Sequence, residues 1–152
     1  MPRGTDKPFS FEKAEDSPGF LLWQATTLWQ RGIRKALEPT DLTHSQFVLL
    51  ASILWLSMHN KEITQVTLSE HSRIDVMTTS TVLRTLAAKG FITRGEHATD
   101  TRAKTVTLTE KGQKTVKGAI VAVESYDHKF FSALDLAVSE FNRHLMKLLK
   151  SN

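Results

Sequence analysis

The chain has 152 residues with 40% apolar and 24% charged side chains, enough for one domain with a real core. It holds no cysteine, which excludes disulfides, thiolate metal sites and thiol redox sensing. The net charge of +4 names no partner by itself, but it is concentrated: residues 61 to 117 hold ten Lys/Arg and six Asp/Glu, and the flanks balance to zero.

Residues 1–16 are polar and turn-rich and read as a flexible N-terminal arm, without the apolar run of a signal peptide. Ser17 followed by Pro18 starts a helix, a capping hydroxyl before a proline at the first helical position. Leu22, Trp29, Ile33 and Ala36 form one stripe, and Leu21, Ala25, Leu28 and Gly32 a second. A helix with two such stripes contacts two things. Pro39 is expected to end it.

"THSQ" at 43–46 is a capping box, and the helix it opens is apolar nearly all round, the mark of a central element. Its apolar run, 47–58, is about a dozen residues long, short of the ~20 that span a bilayer. The helix should stop near His59 and Asn60. "ITQVTLSEHSRID" (63–75) offers two caps, Thr64 or Thr67 with Glu70, for a short helix ending near Arg73. Asp75 caps the next helix, which Gly90 terminates. Val82, Leu83 and Leu86 face inward on it. Thr78, Thr79, Thr81, Arg84 and Thr85 are left mostly outside. Threonine is poor helix material, so this outer surface looks selected for something other than helix stability.

"FITRGE" (91–96) and "KTVTL" (104–108) read as two strands joined by "HATDTRA". Thr109 caps a helix carrying Val116, Ile120 and Val123. Ser132 with Asp135 marks a last helix start, followed by Leu134, Val138, Phe141, Leu145 and Leu148 in steps of four and three. That seam packs either on its own domain or on a subunit partner.

The order helix, helix, short helix, helix, hairpin, helix, helix contains a helix-turn-helix followed by a wing. Thr and Arg side chains on the second helix of such a pair suit base edges and phosphates of a major groove, and a hairpin carrying Arg102 and Lys104 can reach the neighbouring minor groove or backbone. Asp100 is expected to pair with Arg102 and fix its direction. Arg73, Lys89 and Arg94 are weaker phosphate candidates. Met77 either meets a thymine methyl or covers the helix start.

"LTHSQFVLL" (42–50), "TQVTLSEHSRIDVMTTSTVLRTLAAKGFI" (64–92) and "DTRAKTVTLTEKG" (100–112), with helices flanking them, resemble the MarR family of transcriptional regulators. The resemblance spans about 17–150, and the Asp-x-Arg wing followed by Leu-Thr-x-x-Gly is its most specific part. It implies a mainly α fold with a small two- or three-stranded β-wing. Residues 43–109 would form the winged-helix lobe, and 17–38 and 110–150 the dimerisation helices, within one domain spanning 17–152. It further implies a cytoplasmic homodimer on a pseudo-palindromic duplex, a repressor or less often an activator, released by a small aromatic or phenolic effector. The DNA-facing set is then Arg73, Met77, Thr78, Thr79, Thr81, Arg84, Arg94, Thr99, Asp100, Arg102 and Lys104. Many relatives carry Arg where this chain has Thr81, so base preference does not carry over.

For an effector cleft the candidates are Trp23, Thr27, His44 and Phe47, set against the plainer readings of Trp23 as core and His44 as a solvated or hydrogen-bonded side chain. None of the six histidines pairs at helical spacing with an acid between, so no metal is expected; with no readable Ser/His/Asp arrangement, Gly-rich phosphate loop or paired carboxylates, no cofactor or catalytic role is expected either. The alternative function is a helical dimer on the same fold that binds an effector or a protein but has lost specific DNA binding.

Overall fold

The computed structural model describes residues 7–96 and 104–152. A 3₁₀ turn at Ala14–Asp16 leads into α1 (Pro18–Leu37). Ser17 Oγ accepts from the Phe20 amide at the start of that helix. Pro39 does not simply stop the chain. Helical winding tightens into a 3₁₀ turn at Glu38–Thr40, and Asp41 reverses it in the left-handed region at φ 57°. A proline at the second position of a 3₁₀ turn breaks no hydrogen bond, which is why the α-helix ends two residues before it.

The helix α2 (His44–Met58) is opened by the capping box. Thr43 Oγ1 accepts from the Gln46 amide at 3.2 Å, and Gln46 Oε1 accepts from the Thr43 amide at 3.1 Å. Phe47, Leu49, Leu50, Ile53 and Leu54 are buried, but Trp55 and Met58 are exposed, so α2 is central over its first three turns and surfaces at its end. Asn60 then turns the chain at φ 52°.

Of the two possible caps for α3 (Gln65–Ser72), the chain uses Thr64. Thr67 reciprocates with its own hydroxyl, which accepts from the Thr64 amide at 2.8 Å, so the Thr67–Glu70 box does not form. Arg73 closes α3 in the left-handed region at φ 59°. Asp75 caps α4 (Val76–Ala88), and Gly90, at φ 78°, supplies the left-handed turn after it.

Strands β1 (Ile92–Glu96) and β2 (Lys104–Leu108) pair antiparallel, Ile92 opposite Leu108 and Glu96 opposite Lys104. A single bridge, Thr64 to Thr105, adds a third line of backbone, with Val106 N–H donating to the Ile63 carbonyl at 3.0 Å. The wing is therefore a two-stranded sheet anchored at its base to the entry of α3.

Thr109 caps α5 (Glu110–Phe131) and donates its hydroxyl to the Gly90 carbonyl at 2.6 Å. Gly112 is required here, because a Cβ at that position would run into the Phe91 carbonyl. Ser132 does not start the last helix. Its hydroxyl bonds back to the Lys129 carbonyl, residues Ser132–Ala137 wind as a 3₁₀ stretch kinked at Asp135 (φ 49°), and α6 (Val138–Lys150) begins without a side-chain cap.

One core joins α1 to α5 and the sheet. Ile33 and Leu37 of α1, Leu49, Leu50 and Ile53 of α2, Leu68 of α3, Leu83 and Leu86 of α4, Phe91, Ile92 and Val106 around the sheet, and Val116, Ala119 and Val123 of α5 all pack in it. Each large aliphatic side chain so buried contributes about 1.5–3 kcal/mol. The core includes only the C-terminal half of α1, and no residue of α6 is buried within this chain. No helix among the described residues is long and apolar enough to cross a membrane.

Candidate nucleic-acid interface

The candidate surface is built from the first turn of α4. Asp75 accepts the Thr78 amide at 2.8 Å and the Thr78 hydroxyl at 2.7 Å. These bonds to its charged form hold the Asp75 carboxyl below the usual aspartate range. The cap fixes the direction in which the helix leaves the turn. Its outer face then presents Met77, which is 83% exposed, with Thr78, Thr81, Arg84 and Thr85 also open to solvent. Arg84 Nη2 donates to Thr81 Oγ1 at 3.4 Å, one turn back. Thr81 and Thr85 return their hydroxyls to backbone carbonyls of the preceding turn. The threonine and arginine side chains can exchange these local bonds for contacts to a nucleic acid without disturbing the core.

Thr79 does not belong to this face. It is fully buried, with its hydroxyl 3.3 Å from the Ile74 carbonyl, on the opposite side of the helix from Met77 and Thr81. Its hydroxyl makes it look polar, but its position on the helix points it into the turn of the helix-turn-helix.

Three other arginine and lysine candidates have protein partners. Arg73 Nη2 donates to the Leu149 carbonyl at 2.8 Å, tying the end of α3 to the C-terminal end of α6, where a cation is favoured by the helix dipole. Arg94 is half-buried on β1 and donates to Gln65 Oε1 at 3.1 Å. Lys89 donates to the Asp41 carbonyl at 2.7 Å and to Gln46 Oε1 at 3.1 Å, joining the end of α4 to the start of α2. Lys104 is exposed at the start of β2. Thr99, Asp100 and Arg102 lie outside the described residues.

A winged-helix domain described as ArnR1-like matches residues 38–124. An HTH-type transcriptional regulator of Bacillus subtilis, YdcH, is 44% identical over 140 residues, covering 92% of this chain and 95% of that protein. Escherichia coli MarR, solved as a variant in complex with operator DNA, superposes with a TM-score of 0.77 at 25% identity, over 92% of this chain and 99% of that one. The chain belongs to the MarR family of winged-helix transcriptional regulators. BpsR of Bordetella bronchiseptica, whose DNA binding is regulated by 6-hydroxynicotinic acid, shares the fold with a TM-score of 0.80 at 22% identity, over 96% and 99% of the two chains. The family is one of regulators, not of enzymes.

In this MarR-family chain the four cleft candidates sit in different surroundings. Phe47 is part of the core. Trp23 is 70% exposed on the free half of α1. Thr27 is half-buried and donates its hydroxyl to the Trp23 carbonyl at 2.7 Å. His44 is half-buried against Trp29, ring centroids 5.1 Å apart and edge-on. The Trp29 indole donates to Asp127 Oδ1 at 2.7 Å. Burial holds the His44 imidazole below the usual histidine range, opposed by the Asp127 charge and reinforced by Arg34.

A polar cluster of Trp29, His44 and Asp127 therefore stands where α1, α2 and α5 meet. Sequence reasoning found His44 and missed Asp127, which carries no local pattern and lies 98 residues from Trp29. Gln65 was missed for the same reason. Gln46 was visible only as a capping residue, and its second bond, to Lys89, was not. Among the described residues no group of three His, Asp or Glu side chains could hold a metal ion.

Proposed function

We propose that this chain acts as a homodimeric, sequence-specific repressor on duplex DNA, and that a small aromatic effector relieves the repression. The observation that carries the reading is the outer face of α4, where Met77, Thr78, Thr81, Arg84 and Thr85 stand exposed on a helix rigidly capped by Asp75. These side chains suit the donors, acceptors and thymine methyls of a major groove. Lys104 on β2, with Thr99, Asp100 and Arg102 of the sequence between the two strands and outside the described residues, supplies residue types that suit the adjacent minor groove or backbone. The operator-bound state of MarR supports the same use of the fold here.

The dimer reading rests on uncovered apolar surface at both ends of the chain. Phe20, Leu21, Leu22, Trp23 and Leu28 on α1 are 44–70% exposed, and Met146, Leu148 and Leu149 on α6 are 45–59% exposed. An exposed apolar area of that extent marks an association surface. A two-fold pair would set its recognition helices to half-sites about one helical turn apart. Effector control rests on the half-buried cluster of Trp29, His44 and Asp127 and on the regulation of BpsR by an aromatic acid.

The test is binding to the duplex upstream of its own coding sequence against scrambled DNA across a salt series. Specific readout gives a preference of about 10³-fold or more, with both affinities falling as salt rises. Arg102→Ala should lose most of the preference and keep the dimer. Equal, weak binding to both duplexes, repeated after selection from random DNA, would leave the alternative of an effector- or partner-binding dimer that no longer reads DNA.

A further inference from the structure

Gln65 is the first residue of α3, and its side chain bonds in two directions. Its Oε1 accepts from Arg94 Nη2 on β1 at 3.1 Å, and its Nε2 lies 3.4 Å from the carbonyl of Val76, the first residue of α4. The same segment is held by the other strand through backbone, since Val106 N–H donates to Ile63 and Thr105 bridges Thr64. The wing therefore grips the entry of α3 with both strands, and from there one side chain reaches the start of the recognition helix. Arg94 Nε is buried and has no hydrogen-bond partner. An arginine kept ready for phosphate stays hydrated, whereas an unpaired buried N–H is costly and persists where geometry holds the side chain.

We infer that Arg94 is a positioning residue: through Gln65 it fixes the offset between the wing and the first turn of α4. This rests on the DNA-binding reading above. One protomer has to place α4 in a major groove and the wing beside it at the same time. A rigid offset lets both arrive in register, and a slack one makes each contact cost ordering entropy on binding. Scrambled DNA is held by charge alone and does not need that register.

The experiment compares wild type, Gln65→Leu, Arg94→Met, Arg94→Lys and the Gln65→Leu/Arg94→Met double variant on operator and scrambled duplex across a salt series. Gln65 is partly exposed at a helix start, so its leucine variant keeps the fold. Each single variant, the lysine one included, should lose about tenfold in operator affinity, the worth of one charge-assisted hydrogen bond. The double variant should lose little more than either single one, because both cut the same link. Scrambled-duplex affinity and the salt slope should stay at wild-type values.

A phosphate ligand would behave otherwise. Arg94→Met would flatten the slope by about 1.8 for a dimer, Arg94→Lys would restore it, and Gln65→Leu would be silent. That pattern overturns the inference. Amide exchange without DNA keeps it separate from the functional reading. Gln65→Leu should speed exchange in β1 and in the first turn of α4, and unchanged exchange overturns the link whatever the DNA result. A wild type with no operator preference overturns the DNA-binding reading and the role assigned to Arg94 together.

Discussion

The indole N–H of Trp29 on α1 donates to Asp127 Oδ1 on α5 at 2.7 Å, and the His44 ring of α2 packs edge-on against that indole. Three helices thus share one polar contact beside the core. Trp29→Phe keeps most of the ring and removes the donor. It should cost about 1–3 kcal/mol of unfolding free energy by leaving a half-buried carboxylate unsatisfied. Urea denaturation followed by circular dichroism measures this, and an unchanged midpoint would show that water takes the place of the indole.

Burial of His44 makes the stability of the fold depend on pH. Its folded pKa is depressed, chiefly by burial. The folded state therefore binds fewer protons than the unfolded state just below the ordinary histidine value of about 6.5. The contribution is complete above that pH and is lost as pH falls through the folded value. The stability difference between wild type and His44→Asn should be flat from about pH 8 to 7 and shrink toward pH 5. A difference that does not move over that range removes His44 from the acid response.

Gly32 on α1 lies against the ring of Tyr126 on α5, and a Cβ built there would overlap the hydroxyl end of that ring. Gly32→Ala must displace the Tyr126 side chain or part the two helices, at a cost of about 1–3 kcal/mol typical of overpacking. Gly32→Ala with Tyr126→Leu should recover most of the loss, because the obstructing ring is gone. Thermal melts of the two variants decide it.

Thr79 and Thr81 should separate stability from DNA binding. Thr79 is buried with its hydroxyl near the Ile74 carbonyl, so Thr79→Val should lower stability by about 1 kcal/mol and leave operator affinity per folded molecule unchanged. Thr81→Val and Arg84→Ala touch only the exposed face. They should leave the melt within about 0.5 kcal/mol of wild type. Arg84→Ala should weaken operator binding by roughly 10- to 100-fold, the value of a good base contact. A Thr79→Val variant that folds fully yet loses operator affinity would return Thr79 to the interface.

Lys89 is a brace in this structure. Its ammonium meets the Asp41 carbonyl and Gln46 Oε1, with Asp41 Oδ2 3.7 Å away. Lys89→Met should cost about 1 kcal/mol of stability, and the salt slope of DNA binding should keep its wild-type value. A flatter slope at unchanged stability would make Lys89 a phosphate contact.

Local signals predicted much of the fold. Ser17, Thr43, Thr64, Asp75 and Thr109 each accept from an amide three residues on, as their spacing implies. Gly90 turns the chain where a left-handed residue was needed. Such features depend on a few consecutive residues, so they are legible without the rest of the molecule. Ser132 failed as a cap because its hydroxyl bonds to the Lys129 carbonyl behind it, and a capping-type residue can do either.

The sequence by itself determined the order of helices and strands, the position of the helix-turn-helix and wing, and the exposed Thr and Arg face of α4, because periodicity and capping are local. Among the described residues, the tertiary structure decided which cations have partners far along the chain. Arg73, Lys89 and Arg94 look alike in the chain as basic residues flanking α4. Each is paired with a group 76, 43 or 29 residues away. It also decided that Thr79 is inside, and that Trp29, His44 and Asp127 meet. Partners of that kind are set by how helices cross, and no short stretch of sequence encodes a crossing.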